Sequence, residues 1–123
     1  MEDTADIKEY VKEIAAIIDD HKGENTTILS LEGQSSWTDF FIITTVQSSA
    51  RMRGILGYIL DYLKEIDMKP KHSMKQDDES GWLLLDCGDF VIHLMSEEAR
   101  KFYELEKVWF NAETVSYSSS KSS

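Results

Sequence analysis

Cys87, His21, His72 and His93 are the side chains of this sequence best suited to bind a soft metal or to serve as a nucleophile and its base. Their spacing fits neither role. No Cys-x-x-Cys or His-x-x-x-His pair is present, and those spacings are what let two ligands converge on one ion. His93 sits inside the apolar run Phe90-Val91-Ile92-His93-Leu94-Met95 and reads as a strand residue. Cys87 falls in a hairpin turn, where a thiol can be exposed. Activating it requires an adjacent base or a helix N-terminus, and no obvious geometry brings His93 to it, so Cys87 reads as a bystander. Asp86 and Asp89 flank the same turn. Paired carboxylates can hold a metal or do acid–base chemistry, but turns also favour Asp because its carboxylate accepts from nearby backbone amides. We adopt that structural reading. No Gly-x-Gly-x-x-Gly or Walker sequence occurs. Thr44 to Ser49 joins a strand to a helix start, a place that can bind anions, but contains no glycine to let a phosphate approach the backbone. We therefore expect no catalytic residue, no metal and no cofactor.

The unusual density lies elsewhere. Trp82, His93, Arg100, Phe102, Tyr103, Leu105, Glu106, Trp109 and Phe110 all fall within twenty-nine positions of one another in the chain's last third. Trp, Tyr and Arg are the types enriched where one protein grips another. Leu105-Glu106-Lys107-Val108-Trp109-Phe110 mixes charges with large apolar groups in a way that one buried face does not require. At least one aromatic there is expected to be partly exposed. Trp82 reads equally well as core or as surface.

These residues must be held by a frame. Ile7, Val11, Ile14 and Ile18 recur at helical spacing from about Thr4 to His21, with Gly23 as a stop. Thr26 to Leu31 is rich in strand formers. The near-continuous apolar run Phe40-Phe41-Ile42-Ile43-Thr44-Thr45-Val46 predicts a central strand buried on both faces. Ser48 or Ser49 can cap a second helix with a Met52, Ile55, Ile59, Leu63 and Ile66 stripe. Gly54 and Gly57 within it could permit close approach of a neighbouring element. After Pro70, Lys69 to Lys75 reads as a short strand and Gln76 to Gly81 as a polar loop. Trp82 to Asp86 and Phe90 to Met95 read as an antiparallel hairpin. Ser96-Glu97-Glu98-Ala99 begins a last helix, with a capping serine and two acids at the positive end of its dipole. The order α, β, β, α, β, β, β, α predicts a single mixed α/β (α+β) domain over residues 1–115, with one sheet of about five strands packed by helices. The Ser-rich stretch 116–123 has almost nothing to bury and is expected to be disordered.

The chain has 123 residues, 13 basic and 23 acidic side chains, and a formal net charge of −10. Hydrophobic residues at 41% are enough for a core, and one cysteine excludes an intrachain disulfide. No apolar run approaches the roughly 18 residues of a membrane span, and the acidic start Met1-Glu2-Asp3 is unlike a secretory signal. We expect a soluble, cytoplasmic protein with no membrane partner. Polyanions would be repelled at long range, so no specific nucleic-acid sequence is expected as ligand, whereas a basic protein would be attracted.

Three blocks carry a family resemblance. Thr38-Asp39-Phe40-Phe41-Ile42-Ile43 resembles a T-D-Y/F-F-V/I-I strand. Gly81 to His93, reading GWLLLDCGDFVIH, resembles a G-W-hydrophobic-D-x-G-D-hydrophobic-H hairpin. Ala99 to Trp109, reading ARKFYELEKVW, resembles an R-x-x-Y-x-L-E-x-L/V-W ending. Together they are similar to the ribosomal silencing factors of the RsfS/Iojap family, in order and spacing over about Ile7 to Ala112. The resemblance implies a nucleotidyltransferase-like fold without a working active site. It also implies binding to the large ribosomal subunit through that subunit's ribosomal protein fourteen, and steric blocking of small-subunit joining, so that translation is repressed. It implies a homodimer in isolation. Carried over residue by residue, the partner-binding surface or its support comprises Trp82, Asp86, His93, Arg100, Tyr103, Leu105, Glu106 and Trp109. Within it Glu106 would pair with a basic partner residue; the alternative role for Arg100 is an internal ion pair with Asp39 that shapes the surface. The sequence departs from the family pattern at Val46, where a Gly is frequent, and at Ser73-Met74-Lys75-Gln76, where a Glu-Gly pair is usual. A large-subunit assembly factor is the alternative. A small nucleotidyltransferase is the remote one, because Ser48-Ser49 lacks the Gly of its helix start and Asp86 and Asp89 lack its Asp-x-Asp spacing.

Overall fold

A computed structural model of the chain describes residues 4–73 and 81–118. Its elements are α1 (Thr4–Asp20), β1 (Glu24–Ser30), β2 (Phe40–Thr45), α2 (Ser49–Glu65), β3 (His72–Ser73), β4 (Trp82–Asp86), β5 (Phe90–Met95), α3 (Glu97–Tyr103), α4 (Leu105–Val108) and β6 (Glu113–Thr114). The strands form one mixed sheet in the order β3-β4-β5-β2-β1-β6. Among the described strands only β2 and β5 run parallel, paired from Phe40–Phe90 to Thr45–Met95. Four strands of five to seven residues make the body of the sheet, and two strands of two residues trim its edges. The mixed α/β fold expected from the sequence is the fold observed.

Every residue of β2 and β5 is buried, as a central strand covered on both faces requires. Strand alternation then sorts the side chains into two cores. Phe40, Ile42, Phe90, Ile92 and Leu94 face α1 and α2, where Ile14, Ile18, Met52, Ile55, Ile59 and Leu63 meet them. Phe41, Ile43, Val91 and Met95 face the other way, with Leu29, Leu31 and Ala99. Both foreseen caps are made. Ser48 Oγ accepts from the Arg51 amide at 3.1 Å and Ser96 Oγ from the Ala99 amide at 3.0 Å. Gly23 stands where a Cβ would lie 2.2 Å from Ile18 Cγ2. The left-handed residue that turns the chain there is Lys22, at φ 80°.

Four details depart from the sequence reading. A Cβ at Gly54 or Gly57 would meet nothing within 4 Å, so no described neighbour approaches the helix at either glycine. The last helix breaks at Glu104 into α3 and α4, because Glu104 is left-handed (φ 47°, ψ 54°). A sixth strand, β6, pairs with Leu29 and Ser30 of β1; two residues carry no periodic signal. Of the stretch expected to have nothing to bury, Tyr117 packs against the α1–α2 core and donates a hydrogen bond to Asp19. Residues 119–123 of that stretch lie outside the described residues, as do 74–80, which hold most of the expected polar loop and the end of the expected strand at Lys69–Lys75.

Candidate functional site

The expected site residues come from two sources, the strand alternation of β4 and β5 and the corner that follows. Register places Trp82 opposite Met95, Leu84 opposite His93 and Asp86 opposite Val91. Trp82, Asp86 and His93 therefore share the sheet face that α3 and α4 cover. His93 is buried at 2% exposure. The indole Nε1–H of Trp82 donates to its Nδ1 at 3.1 Å, which fixes the neutral tautomer with the proton on Nε2. That Nε2 has no hydrogen-bond partner among the described residues. Burial pushes the imidazole pKa down from 6.5 to about 4, so at neutral pH the ring acts as an aromatic wall.

Rings connect across this face. Trp37 meets Phe41 edge-on, with centroids 5.6 Å apart, and Phe41 meets His93 at 4.4 Å and Trp109 at 6.0 Å. His93 meets Trp82 at 5.7 Å, Trp82 meets Tyr103 at 4.5 Å, and Tyr103 meets Phe102 at 5.0 Å. Phe41 and His93 form the buried floor. Trp37, Phe102 and Tyr103 rise to the surface at 52%, 79% and 44% exposure, and Val108 and Phe110 stand out at 65% and 78%. A cluster of that kind is unusual on a protein with nothing to grip.

Arg100 and Glu106 form the polar half of the site. Arg100 Nη2 lies 2.6 Å from Glu106 Oε2. The expected Asp39–Arg100 pair is replaced by this one, and the Glu106 carboxylate, expected to await a basic partner residue, already has an internal arginine. Leu105 and Trp109 pack half-buried against the second core, Trp109 meeting Phe41. Asp86 is not brought to the cluster. It lies at the far end of β4, where its Oδ1 accepts from the Gly88 amide at 2.8 Å, the turn role that its residue type allows. Gly88 is left-handed at φ 88°, a conformation for which glycine is suited.

The nucleophile and metal readings can be judged against the same geometry. Cys87 is buried rather than exposed in its turn, and burial, with Asp86 next to it, raises its thiol pKa to about 12. No group of three or more His, Cys, Asp or Glu side chains among the described residues could hold a metal ion. No helix among them is long and apolar enough to cross a membrane. Trp37 was missed by sequence reasoning. The signal available was a large aromatic in the polar loop Gln34-Ser35-Ser36-Trp37, with no stripe to join.

Comparison with known proteins fits this fold. The chain is 35% identical over 105 residues to the ribosomal silencing factor RsfS of Bacillus subtilis, covering 85% of this chain and 88% of that one. It is 26% identical over 98 residues to the mouse protein named mitochondrial assembly of ribosomal large subunit protein 1, covering 78% of this chain and 43% of that one. A crystal structure of a Chromobacterium violaceum protein superposes with a TM-score of 0.78 at 25% identity, covering 98% of both chains. The family model described as ribosomal silencing factor during starvation matches residues 4–123, and the chain belongs to that family.

Proposed function

We propose that this protein docks on the large ribosomal subunit, through ribosomal protein fourteen of that subunit, and blocks small-subunit joining by occupying the joining surface. The observation that carries the reading is the set of exposed large apolar side chains, the rings of Trp37, Phe102, Tyr103 and Phe110 with Val108, on a chain of net charge −10. Aromatic groups standing in water supply anchors. The acidic excess steers the encounter with a basic ribosomal protein and repels bare nucleic acid. Repression by occlusion needs no covalent step, and the buried Cys87 and neutral His93 are not arranged for one. The protein acts in the cytoplasm, beside its ribosomes, and buries part of the same aromatic surface in a homodimer when no ribosome is present.

The test is co-sedimentation of the purified protein with separated subunits, run beside a subunit-joining assay. Binding to the large subunit with reduced joining is expected. Binding that leaves joining unchanged would favour an assembly role instead, a reading supported by the name of the mouse relative. Failure to bind either subunit would overturn both.

A further inference from the structure

We propose that Arg100 is a positioning residue that sets the orientation in which the α3–α4 corner presents its aromatic groups. The guanidinium makes four hydrogen bonds to three different parts of the chain. Nη1 donates to the Asn25 carbonyl at 2.7 Å and to Thr45 Oγ1 at 3.1 Å. Nη2 donates to Thr27 Oγ1 at 3.3 Å and to Glu106 Oε2 at 2.6 Å. The side chain is only 13% exposed, so it has little surface of its own to offer a partner.

Each acceptor has a local reason to be there. The β1–β2 register shifts between Glu24 and Thr27, and Asn25 is left-handed at φ 51°. That bulge turns the Asn25 carbonyl toward Arg100. Thr45 is the last residue of β2, so its hydroxyl lies at the same end of the sheet. Glu106 comes from the other side of the Glu104 hinge, in the first turn of α4. Arg100 and Glu106 therefore brace the left-handed corner from both sides and fasten it to the sheet.

The corner needs such a brace. α4 has four residues, and its N-cap, Glu104, makes no side-chain cap hydrogen bond. Its other ties are the half-buried Leu105 and Trp109, a solvent-exposed Lys107–Glu104 ion pair at 3.0 Å and a few backbone bonds. Phe102 and Tyr103 precede the hinge, and Val108, Trp109 and Phe110 follow it, so the hinge angle decides whether the two groups form one surface. A lysine cannot replace the planar fork, which reaches four acceptors at once.

The consequence for binding rests on the docking reading above, so the experiment has two arms. Amide hydrogen exchange is read at Lys107, Trp109 and Ala112, whose N–H groups bond to Glu104, Leu105 and Trp109 carbonyls, with Val46, bonded to the Met95 carbonyl, as the core reference. Arg100→Met is expected to speed exchange at the three corner amides by about tenfold and leave Val46 unchanged. Arg100→Lys is expected not to restore protection. Affinity for the large subunit should fall by about tenfold in both variants, while Phe110→Ala should weaken binding without changing exchange. Unchanged corner exchange in Arg100→Met overturns the proposal, because Arg100 would then be at most a contact. Equal acceleration at Val46 overturns it too, because the residue would then support the whole fold. Faster corner exchange with full affinity overturns the claim that orientation matters. If the unsubstituted protein does not bind the subunit, the docking reading alone fails, and the exchange arm still decides what Arg100 does.

Discussion

On one face of the sheet, α1 and α2 contribute seventeen residues each and bury a continuous apolar core. On the other face, α3 and α4 contribute seven and four residues, the second core is smaller, and aromatic groups are left standing in water. The first face is held by apolar area, which is insensitive to the orientation of any one bond. The second depends on a directional polar brace and on half-buried rings. On the proposed docking reading, stability rests mainly in one layer and recognition mainly in the other. Substitutions should therefore separate the two properties.

The largest effect is expected in the first layer. Phe90 is fully buried on the α1–α2 side of β5. Phe90→Ala should destabilise the fold by about 3–5 kcal/mol, through lost transfer energy and the cavity left behind. A urea unfolding curve measures this directly. A loss under about 1 kcal/mol would mean that the core closes around the gap and that the contrast between the faces is overstated.

His93 sharpens the comparison, because it lies in a central strand yet forms the floor of the aromatic face. Its pKa is lowered to about 4 from 6.5 by burial, and its register neighbours Ile43 and Leu84 are apolar. Between those two values the unfolded chain binds the proton and the folded chain does not. Stability is therefore full above about pH 6.5 and is lost as the pH falls toward 4, by about 2 kcal/mol at pH 5. Protonation of Nδ1 would also cost the bond from Trp82. His93→Gln removes the titration and keeps an acceptor for the indole. Urea curves at pH 7.5 and pH 5 should show a larger acid loss in the unsubstituted protein than in the variant. Equal losses would mean that the ring reaches solvent readily.

How much of this was legible in the chain depends on the kind of interaction. Phe40 to Val46 announced itself as a buried strand, and Phe90 to Met95 as a strand, because apolar residues write a pattern over six or more positions. Ser48 and Ser96 were legible as caps because capping is local. The break at Glu104 was not, since a left-handed glutamate has no preference that marks it in advance and is held by tertiary contacts. The four-way role of Arg100 was equally hidden, because its acceptors Asn25, Thr27 and Thr45 lie more than fifty positions away. The motif resemblance named Arg100 and Glu106 without telling contact from support. Their mutual bond at 2.6 Å makes support the natural role for the arginine.

Phe110 tests the recognition layer from the opposite direction. At 78% exposure, it has little burial to lose on truncation. Phe110→Ala should leave the urea midpoint within about 0.5 kcal/mol of the unsubstituted value. Binding to the large subunit should weaken by about tenfold, the scale of an aromatic anchor removed from an interface. A variant that unfolds early would show that the ring belongs to the second core after all.

The smallest effect concerns the outer surface of the first layer. Gly54 and Gly57 lie on the exposed side of α2, and a methyl group at either would touch no described neighbour within 4 Å. Neither has the positive φ at which an alanine would be strained. Glycine in a helix interior costs about 1 kcal/mol relative to alanine, because the unfolded chain has more freedom to lose. Gly54→Ala and Gly57→Ala should each stabilise the protein by about 0.5–1 kcal/mol and leave subunit binding unchanged, since α2 covers the face of the sheet opposite the aromatic cluster. If either alanine weakened binding while raising stability, the outer side of α2 would be a second contact surface. The division of labour between the two faces would then be incomplete at that helix.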